Sequence, residues 1–339
     1  MTGYETILPY RLDKRYCIHA KQSGKVIKLN KTSLTVRYKD NTEETFKLKS
    51  WFGKEVAGVT YRHQMTTLLE ENDTFDKFDN LIYDKVFFDK HPLHSKRIAF
   101  KSGSLALVAM TEEEYAFEDS TGISKNFSKE LASSITTVRD IVLPIDARIL
   151  NMKSVGDYVK YLDPLLTFST MDSEPTDNDM ANSILQELNN SSPKAKTTGY
   201  VLRIECIYNS DLENASESIL GLVKKSDKQT KSEYGVTGKV DNTYSIKGKP
   251  LKEDEIQIIF YIEKKLPMSM ADKYIVGNQL KTTVGKIYDS ITTVDGEEVD
   301  IIFSLTSKDA RIVFSPDLMG STNMILKEIT NRVLTAYKE

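Results

Sequence analysis

Apolar and polar residues alternate along much of the chain with the period of a strand rather than a helix. The pattern is plainest from Lys25 to Lys49, where Leu34, Val36 and Tyr38 alternate with Thr35, Arg37 and Lys39, and where Asn30–Lys31 and Asp40–Asn41 mark turns. That segment reads as a β-meander with one apolar and one wet face. Residues 51–100 mix Trp51, Phe75, Phe78, Phe87 and Phe88 with charges and read as strands and loops. A short apolar strand follows at Leu105 to Met110, then the acidic run Glu112 to Glu114, then YAFEDSTGIS at residues 115–124, and a strand or short helix that ends before Pro144. Further strands are expected at GYVLRIECIY (199–208), EIQIIFYIEKKL (255–266) and VDIIF (299–303).

Helical spacing is rarer. Asp177 or Asn178 caps a helix over residues 178–188, in which Met180, Ile184, Leu185 and Leu188 recur at helical intervals. A second helical stretch lies around Leu212 to Lys225, followed by a charged, glycine-containing segment, KSDKQTKSEYGVTGKVDN, that reads as a mobile surface insertion. From Thr322 to Tyr337 the chain forms an amphipathic helix with Ile325, Leu326, Ile329, Val333 and Leu334 on one side. Composition shifts between about Pro144 and Lys252, so the chain divides into residues 1–143, an inserted module at 144–252, and 253–339. Strands outnumber helices, which implies a mainly β body with some α, closer to a barrel than to a doubly wound sheet.

The overall make-up narrows the classes. At 339 residues, 40% hydrophobic and 28% charged, the chain has the composition of one large or two ordinary globular domains. Its net charge of −3 excludes a generally basic surface, so any contact with nucleic acid has to come from local clusters of Lys and Arg. No run approaches the roughly 18 apolar residues of a membrane span, and the N-terminus lacks the apolar core of a secretory signal, which predicts an intracellular protein. Cys17 and Cys206 lie far apart, so a disulfide framework is not expected.

The stretch DKYIVGNQLKTTVGKI, residues 272–287, places Lys273 and Lys281 eight residues apart around a Gly277–Asn278 turn signal. With Arg311, these would form a cluster of cations able to hold a triphosphate if their strand ends converge. Such a cluster helps phosphoryl transfer by positioning and charge neutralisation, without being a catalyst by itself. Glu118 and Asp119 are the acidic counterpart: a carboxylate pair able to contact Mg²⁺, or an exposed acidic turn. His91 and His94 have a spacing that zinc can use but lack further ligands nearby, and Cys17 with His19 fails the same test. No GxSxG, GxxxxGK[ST] or GxGxxG occurs. The stripe of the 178–188 helix reads either as core or, on a projecting module, as a docking surface.

Several of these stretches, taken in order, resemble the β subunit of multisubunit DNA-dependent RNA polymerases. SLALVAMTEEEYAFEDSTGIS (104–124) resembles the segment that runs from an apolar strand into that family's Tyr-x-Phe-Glu-Asp motif. DKYIVGNQLKTTVGKI aligns without gaps to its Asp-Lys-Met-Ala-Gly-Arg-His-Gly-Asn-Lys-Gly motif and the Lys-Ile that follows, and DGEEVDIIFSLTSKDAR (295–311) has the length of its Asp-Gly-x-Pro-Val-Asp-Ile-Val segment through to an arginine on which Arg311 falls. Weaker likenesses lie in the same order at KQSGKVIKLNKTSLTVRY, VGDYVKYLDPLL, GYVLRIECIY and QIIFYIEKKLPMSMADK. Two departures stand out: the Gly-Arg-His-Gly-Asn of the lysine motif is Val276, Gly277, Asn278, Gln279 and Leu280 here, and the Pro-Ser before the arginine is Asp309–Ala310.

The resemblance implies a double-psi β-barrel interrupted by a flap module, with the 178–188 helix at the flap tip, where Met180, Ile184, Leu185 and Leu188 would dock a sigma-like promoter-specificity factor. It implies that Lys273 and Lys281 contact the RNA 3′ end and the incoming nucleotide, that Arg311 contacts the triphosphate, and that Glu118 and Asp119 lie near a second Mg²⁺, the catalytic Mg²⁺ being held mainly by a partner β′-like chain. The chain looks like the central fragment of a split β, as in giant (jumbo) bacteriophages, and would work only with the remaining β-like fragments, β′-like chains, DNA template, RNA and nucleoside triphosphates. The expected setting is the cytoplasm of a bacterial host, with virion packaging left open. The alternative from another class is a catalytically inert β-like protein that regulates a host polymerase.

Overall fold

The computed structural model describes residues 4–91, 94–169, 192–311 and 313–338. The expected 178–188 helix, with Met180, Ile184, Leu185 and Leu188, lies outside the described residues. The chain is mainly β with a few helices, and it forms two compact units: Met1–Ser102 with Ser134–Lys264, and Gly103–Ser133 with Lys265–Glu339.

In the first unit a helix, Tyr4–Arg11, and a short strand, Cys17–His19, precede the meander. Strands Gly24–Leu29, Ser33–Tyr38 and Glu43–Lys47 pair antiparallel, with Leu34 opposite Phe46 and Val36 opposite Glu44. The period-two pattern puts Val26, Leu34, Val36 and Tyr38 into a core shared with Phe46, Met65, Leu69 and Phe75, while Arg37 and Lys39 stay wet. A second sheet in the same region orders Cys17–His19, Asn80–Asp84, Arg62–Thr66 and Ser50–Phe52.

The unit's largest core lies on a five-stranded sheet ordered Tyr158–Val159, Gly199–Tyr208, Glu255–Leu266, Ser133–Pro144, Val59–Thr60. The segment before Pro144 thus contains a long strand, preceded by the short helix Lys125–Glu130. Gly199–Tyr208 runs antiparallel to Glu255–Leu266, pairing Tyr200 with Glu263 at one end and Tyr208 with Ile256 at the other.

The helix Glu217–Tyr234 covers this core. Ser216 caps its start, with its hydroxyl accepting from the Ile219 amide, and Gly235 ends it in the left-handed region at φ 79°. Half of the segment read as a mobile insertion is therefore helix. The apolar stripe Ile219, Leu222, Val223 is continued by Ser226, whose hydroxyl is buried because it accepts from the Cys206 amide at 2.9 Å. Asp227 fixes the following turn by accepting from Tyr208 and from the Gly238 amide, each at 2.7 Å. Polar residues with buried hydrogen bonds concealed the helical face.

The second unit is built on a mixed sheet ordered Val108–Met110, Ile301–Phe303, Ser120–Ser124, Leu280–Tyr288, Lys273–Val276. Val108–Met110 runs parallel to Ile301–Phe303, and Ser120–Ser124 runs parallel to Leu280–Tyr288, while the two central strands are antiparallel. One face packs Ile123, Phe127, Val276, Leu280, Val284, Ile301 and Phe303 into a core. The terminal helix extends further than its periodicity predicts, from Ser315 to Lys338, and Ile325, Leu326, Ile329, Val333 and Leu334 are all exposed on it.

Candidate functional site

The second unit carries every basic and acidic residue that sequence reasoning singled out for phosphate chemistry. Its centre is the hairpin Lys273–Val276 and Leu280–Tyr288, in which Lys273 faces Thr283, Ile275 faces Lys281 and Val276 faces Leu280. Gly277 makes the turn in the left-handed region at φ 61°, as the Gly277–Asn278 signal predicts. Alternation sends Val276, Leu280, Thr282 and Val284 inward and leaves Lys273, Ile275 and Lys281 on the exposed side. The two lysines are thus diagonal neighbours on one face, a relation that puts side-chain origins roughly 7–8 Å apart.

Buried polar groups rivet this hairpin to Ser120–Ser124. Thr121 Oγ1 lies 2.8 Å from the Tyr274 hydroxyl, and Thr282 Oγ1 donates to the Asp119 carbonyl at 2.8 Å. The Thr283 amide donates to the same carbonyl at 2.8 Å. Burial pushes the Tyr274 hydroxyl up to about 12, so it remains a neutral hydrogen-bonding group. These bonds place Asp119 beside Thr282 and Thr283, the residues that follow Lys281, in the parallel register of the two strands.

Arg311 completes the group. It follows the short helix Leu305–Ala310, whose Ser304 cap and Thr306 amide both hydrogen-bond the Glu112 carboxylate, with the amide at 2.8 Å. The Thr306 amide and its neighbours hold the Glu112 carboxyl below the usual range. From there the Arg311 guanidinium donates through Nη1 to the Lys281 carbonyl at 2.8 Å and through Nη2 to the Asp119 carboxylate. Sequence positions 119, 281 and 311 therefore meet, and Lys273 shares the face. Glu118, also exposed, occupies the left-handed region at φ 51° and has no hydrogen bond or ion pair among the described residues.

Lys286 escaped sequence reasoning. Its ammonium lies 4.0 Å from the centre of the Tyr115 ring, 5.1 Å from that of Tyr288, and 4.0 Å from a Glu113 oxygen. A bulge explains its direction: Ser120 pairs with Thr283 and Thr121 with Val284, but Gly122 pairs with Lys286. The extra residue, Gly285, turns Lys286 away from the core side that Val284 occupies. A Cβ at Gly285 would lie 2.1 Å from Ser120 Oγ and 2.8 Å from the Tyr115 carbonyl, so only glycine fits the approach. The sequence signal was the Gly-Lys pair itself, which reads as an ordinary part of a strand until the bulge is seen.

The acidic run has structural work. Glu113 accepts from the Tyr288 hydroxyl at 2.6 Å, and that bond holds its carboxyl below the usual range. Among the described residues no group of three or more His, Cys, Asp and Glu side chains is placed to hold a metal ion, and the Asp119 carboxylate is already engaged by Arg311. The Glu118–Asp119 pair therefore does not fit a resident Mg²⁺ site by itself.

Cys17 and His19 are close, Sγ to Nε2 3.4 Å, yet burial pushes the thiol up to about 12 and the imidazole down to about 4. A neutral thiol beside an unprotonated ring is a packed pair rather than a nucleophile and base. The rings of His91 and His94 lie 4.9 Å apart. No helix among the described residues is long and apolar enough to cross a membrane.

No family model matches this chain, and no curated protein does. The geometry thus has to speak through its own chemistry. Two exposed lysines on one face of the hairpin, and a guanidinium bonded to the backbone of one of them, offer positive charge to a phosphate chain and to charge developing on it. They supply no nucleophile, and the bonds Arg311 already makes leave it only part of its donor set for a ligand.

Proposed function

We propose that the chain is a fragment of a β-like subunit of a multisubunit DNA-directed RNA polymerase, and that Lys273, Lys281 and Arg311 bind the RNA 3′ end and the triphosphate of the incoming nucleotide. The observation that carries this reading is the meeting of the Arg311 guanidinium with the Asp119 carboxylate and the Lys281 carbonyl, 192 and 30 residues away in sequence, at a hairpin one face of which carries Lys273 and Lys281. The double-psi barrel belongs to the same proposal; the two parallel strand pairs joined by an antiparallel one support it, although the hydrogen-bonded order is that of an open sheet.

On this reading the catalytic Mg²⁺ is held by a partner β′-like chain and supplies charge neutralisation at the transferring phosphoryl group. The residues of this chain orient the triphosphate and the 3′ end, and Asp119 holds Arg311 in place until phosphate oxygens compete for the guanidinium. Partner chains, template DNA, a sigma-like factor, a phage origin and a bacterial cytoplasm are parts of the same proposal. The chain alone would make no RNA.

A second reading has an observation in its favour. Arg311 is already engaged by Asp119 and the Lys281 carbonyl, as expected of a β-like protein that has lost catalysis and regulates a host polymerase by binding it. Purification of the chain from its native source, identification of the chains that accompany it, and assay of rifampicin-independent RNA synthesis from a DNA template decide between the two. Co-purifying β- and β′-like fragments with synthesis support the polymerase; a lone association with an intact host polymerase, without added synthesis, supports the regulator.

A further inference from the structure

The chain's acidic balance requires any nucleic-acid contact to come from a local basic cluster, and the first unit contains one that the proposed function does not use. Two adjoining cavities of about 330 and 560 Å³ lie between the meander and the helix Glu217–Tyr234, and they share Thr32 and Glu233 in their walls. Lys225 and Lys228 line the first, one helical turn apart; Lys31, on the turn between two meander strands, and Arg62 line the second. Lys31, Lys225 and Lys228 are exposed, and none of them has an ion pair among the described residues.

Among the described residues Glu233 is the one carboxylate in either lining, and it is already held by Arg203 at 2.5 Å. Arg203 is 3% exposed and also pairs with Glu205 at 2.5 Å. The three together contribute one negative charge against four lining cations. The rest of the second wall mixes amides and hydroxyls, among them Asn30, Gln64, Thr66 and Thr67, with four apolar side chains. The polar groups suit phosphate, sugar and base edges.

We propose that these two cavities form one groove that binds single-stranded nucleic acid through its phosphodiester backbone. The four cations, two in each cavity, offer a backbone several phosphate contacts, and the polar side chains beside them can pair with the unpaired base edges of a single strand, which a duplex does not present. The groove lies wholly within the first unit and does not depend on the reading of Lys273, Lys281 and Arg311.

The test is fluorescence anisotropy with the full chain and a labelled single-stranded RNA of about 12 nucleotides. Wild-type protein is compared with Lys31→Gln/Lys225→Gln/Lys228→Gln and with Lys160→Gln/Lys249→Gln, which removes exposed lysines of the same unit that line neither cavity. Matching thermal melts establish that each variant is folded. The expected result is a loss of about tenfold or more in affinity for the triple variant, with the slope of log affinity against log salt reduced by about 2, since each neutralised phosphate contributes about 0.7 on a single strand. The control variant should bind as wild type. Binding of RNA by the triple variant with wild-type affinity and slope overturns the proposal, as does absence of binding by the wild type at about 50 mM salt. Equal affinity for a duplex of the same length, or equal competition by inorganic tripolyphosphate at matched charge, overturns the strand-specific form. Because the assay involves no RNA synthesis, its failure is distinct from failure of the polymerase reading.

Discussion

Arg203 in the first unit and Arg311 in the second each hold a carboxylate and a further acceptor, but their surroundings differ. Arg203 has a side chain 4% exposed, paired with Glu205 and Glu233, and its guanidinium lies 5.2 Å from the centre of the Tyr234 ring. Arg311 has a side chain 26% exposed, and its partner Asp119 is 78% exposed. Similar pairing with carboxylate therefore has opposite consequences. A buried guanidinium whose removal strands two carboxylates is structural, whereas a half-buried one held by a solvated carboxylate contributes little to stability and stays available to a ligand.

The largest effect that would break this contrast is in the first unit. Arg203→Ala should destabilise it by about 3–5 kcal/mol, because Glu205 and Glu233 lose their counter-charge in a poorly solvated place; urea unfolding of the purified chain measures it, and a change under about 1 kcal/mol would remove the distinction. Arg311→Ala should leave unfolding within about 1 kcal/mol of wild type yet weaken nucleoside triphosphate binding in the reconstituted complex about 10- to 100-fold, the worth of charge-assisted hydrogen bonds. A large stability loss with unchanged binding would make Arg311 another Arg203.

Gly285→Ala tests the bulge that turns Lys286 outward. The added methyl meets Ser120 Oγ and the Tyr115 carbonyl, and a cost of about 1–3 kcal/mol is expected from forcing a packed site apart; an unchanged unfolding midpoint would mean that the strand adapts without strain.

The smallest effect concerns acid. The carboxyls of Glu112 and Glu113 are held down mainly by the Thr306 amide and the Tyr288 hydroxyl respectively. A depressed folded-state value means that their stabilisation is present above the ordinary carboxylate range and is lost as pH falls through the folded value. Glu112→Gln/Glu113→Gln should therefore narrow the difference between unfolding midpoints at neutral and acid pH. An undiminished difference would place the acid sensitivity elsewhere.

Where one face of an element is dry, the sequence was legible. Leu34, Val36 and Tyr38 predicted the meander, and Gly277 predicted the turn between the lysines, because alternation and left-handed backbone are local requirements. The helix Glu217–Tyr234 was legible as far as Lys225, but its continuation through Ser226 was not, since the buried hydroxyl replaces an apolar side chain and its hydrogen-bond partner, Cys206, is 20 residues away. The direction of Lys286 was likewise hidden, because a bulge depends on the neighbouring strand. Arg311, Asp119 and Lys281 could be nominated from residue type and from the family likeness, but their meeting depends on pairings between distant segments. The mainly β character was legible throughout; the path of the ladders was not.

The central claim is that Lys273 and Lys281 assist nucleotide addition at a metal centre carried by another chain. Single-turnover nucleotide addition by the complex reconstituted with Lys273→Ala or Lys281→Ala tests it most directly, with assembly checked by co-elution of the chains. Intact assembly and addition slowed about 100-fold, the cost of losing one preorganised charge contact, is the predicted result. Near-wild-type addition by both variants would contradict it.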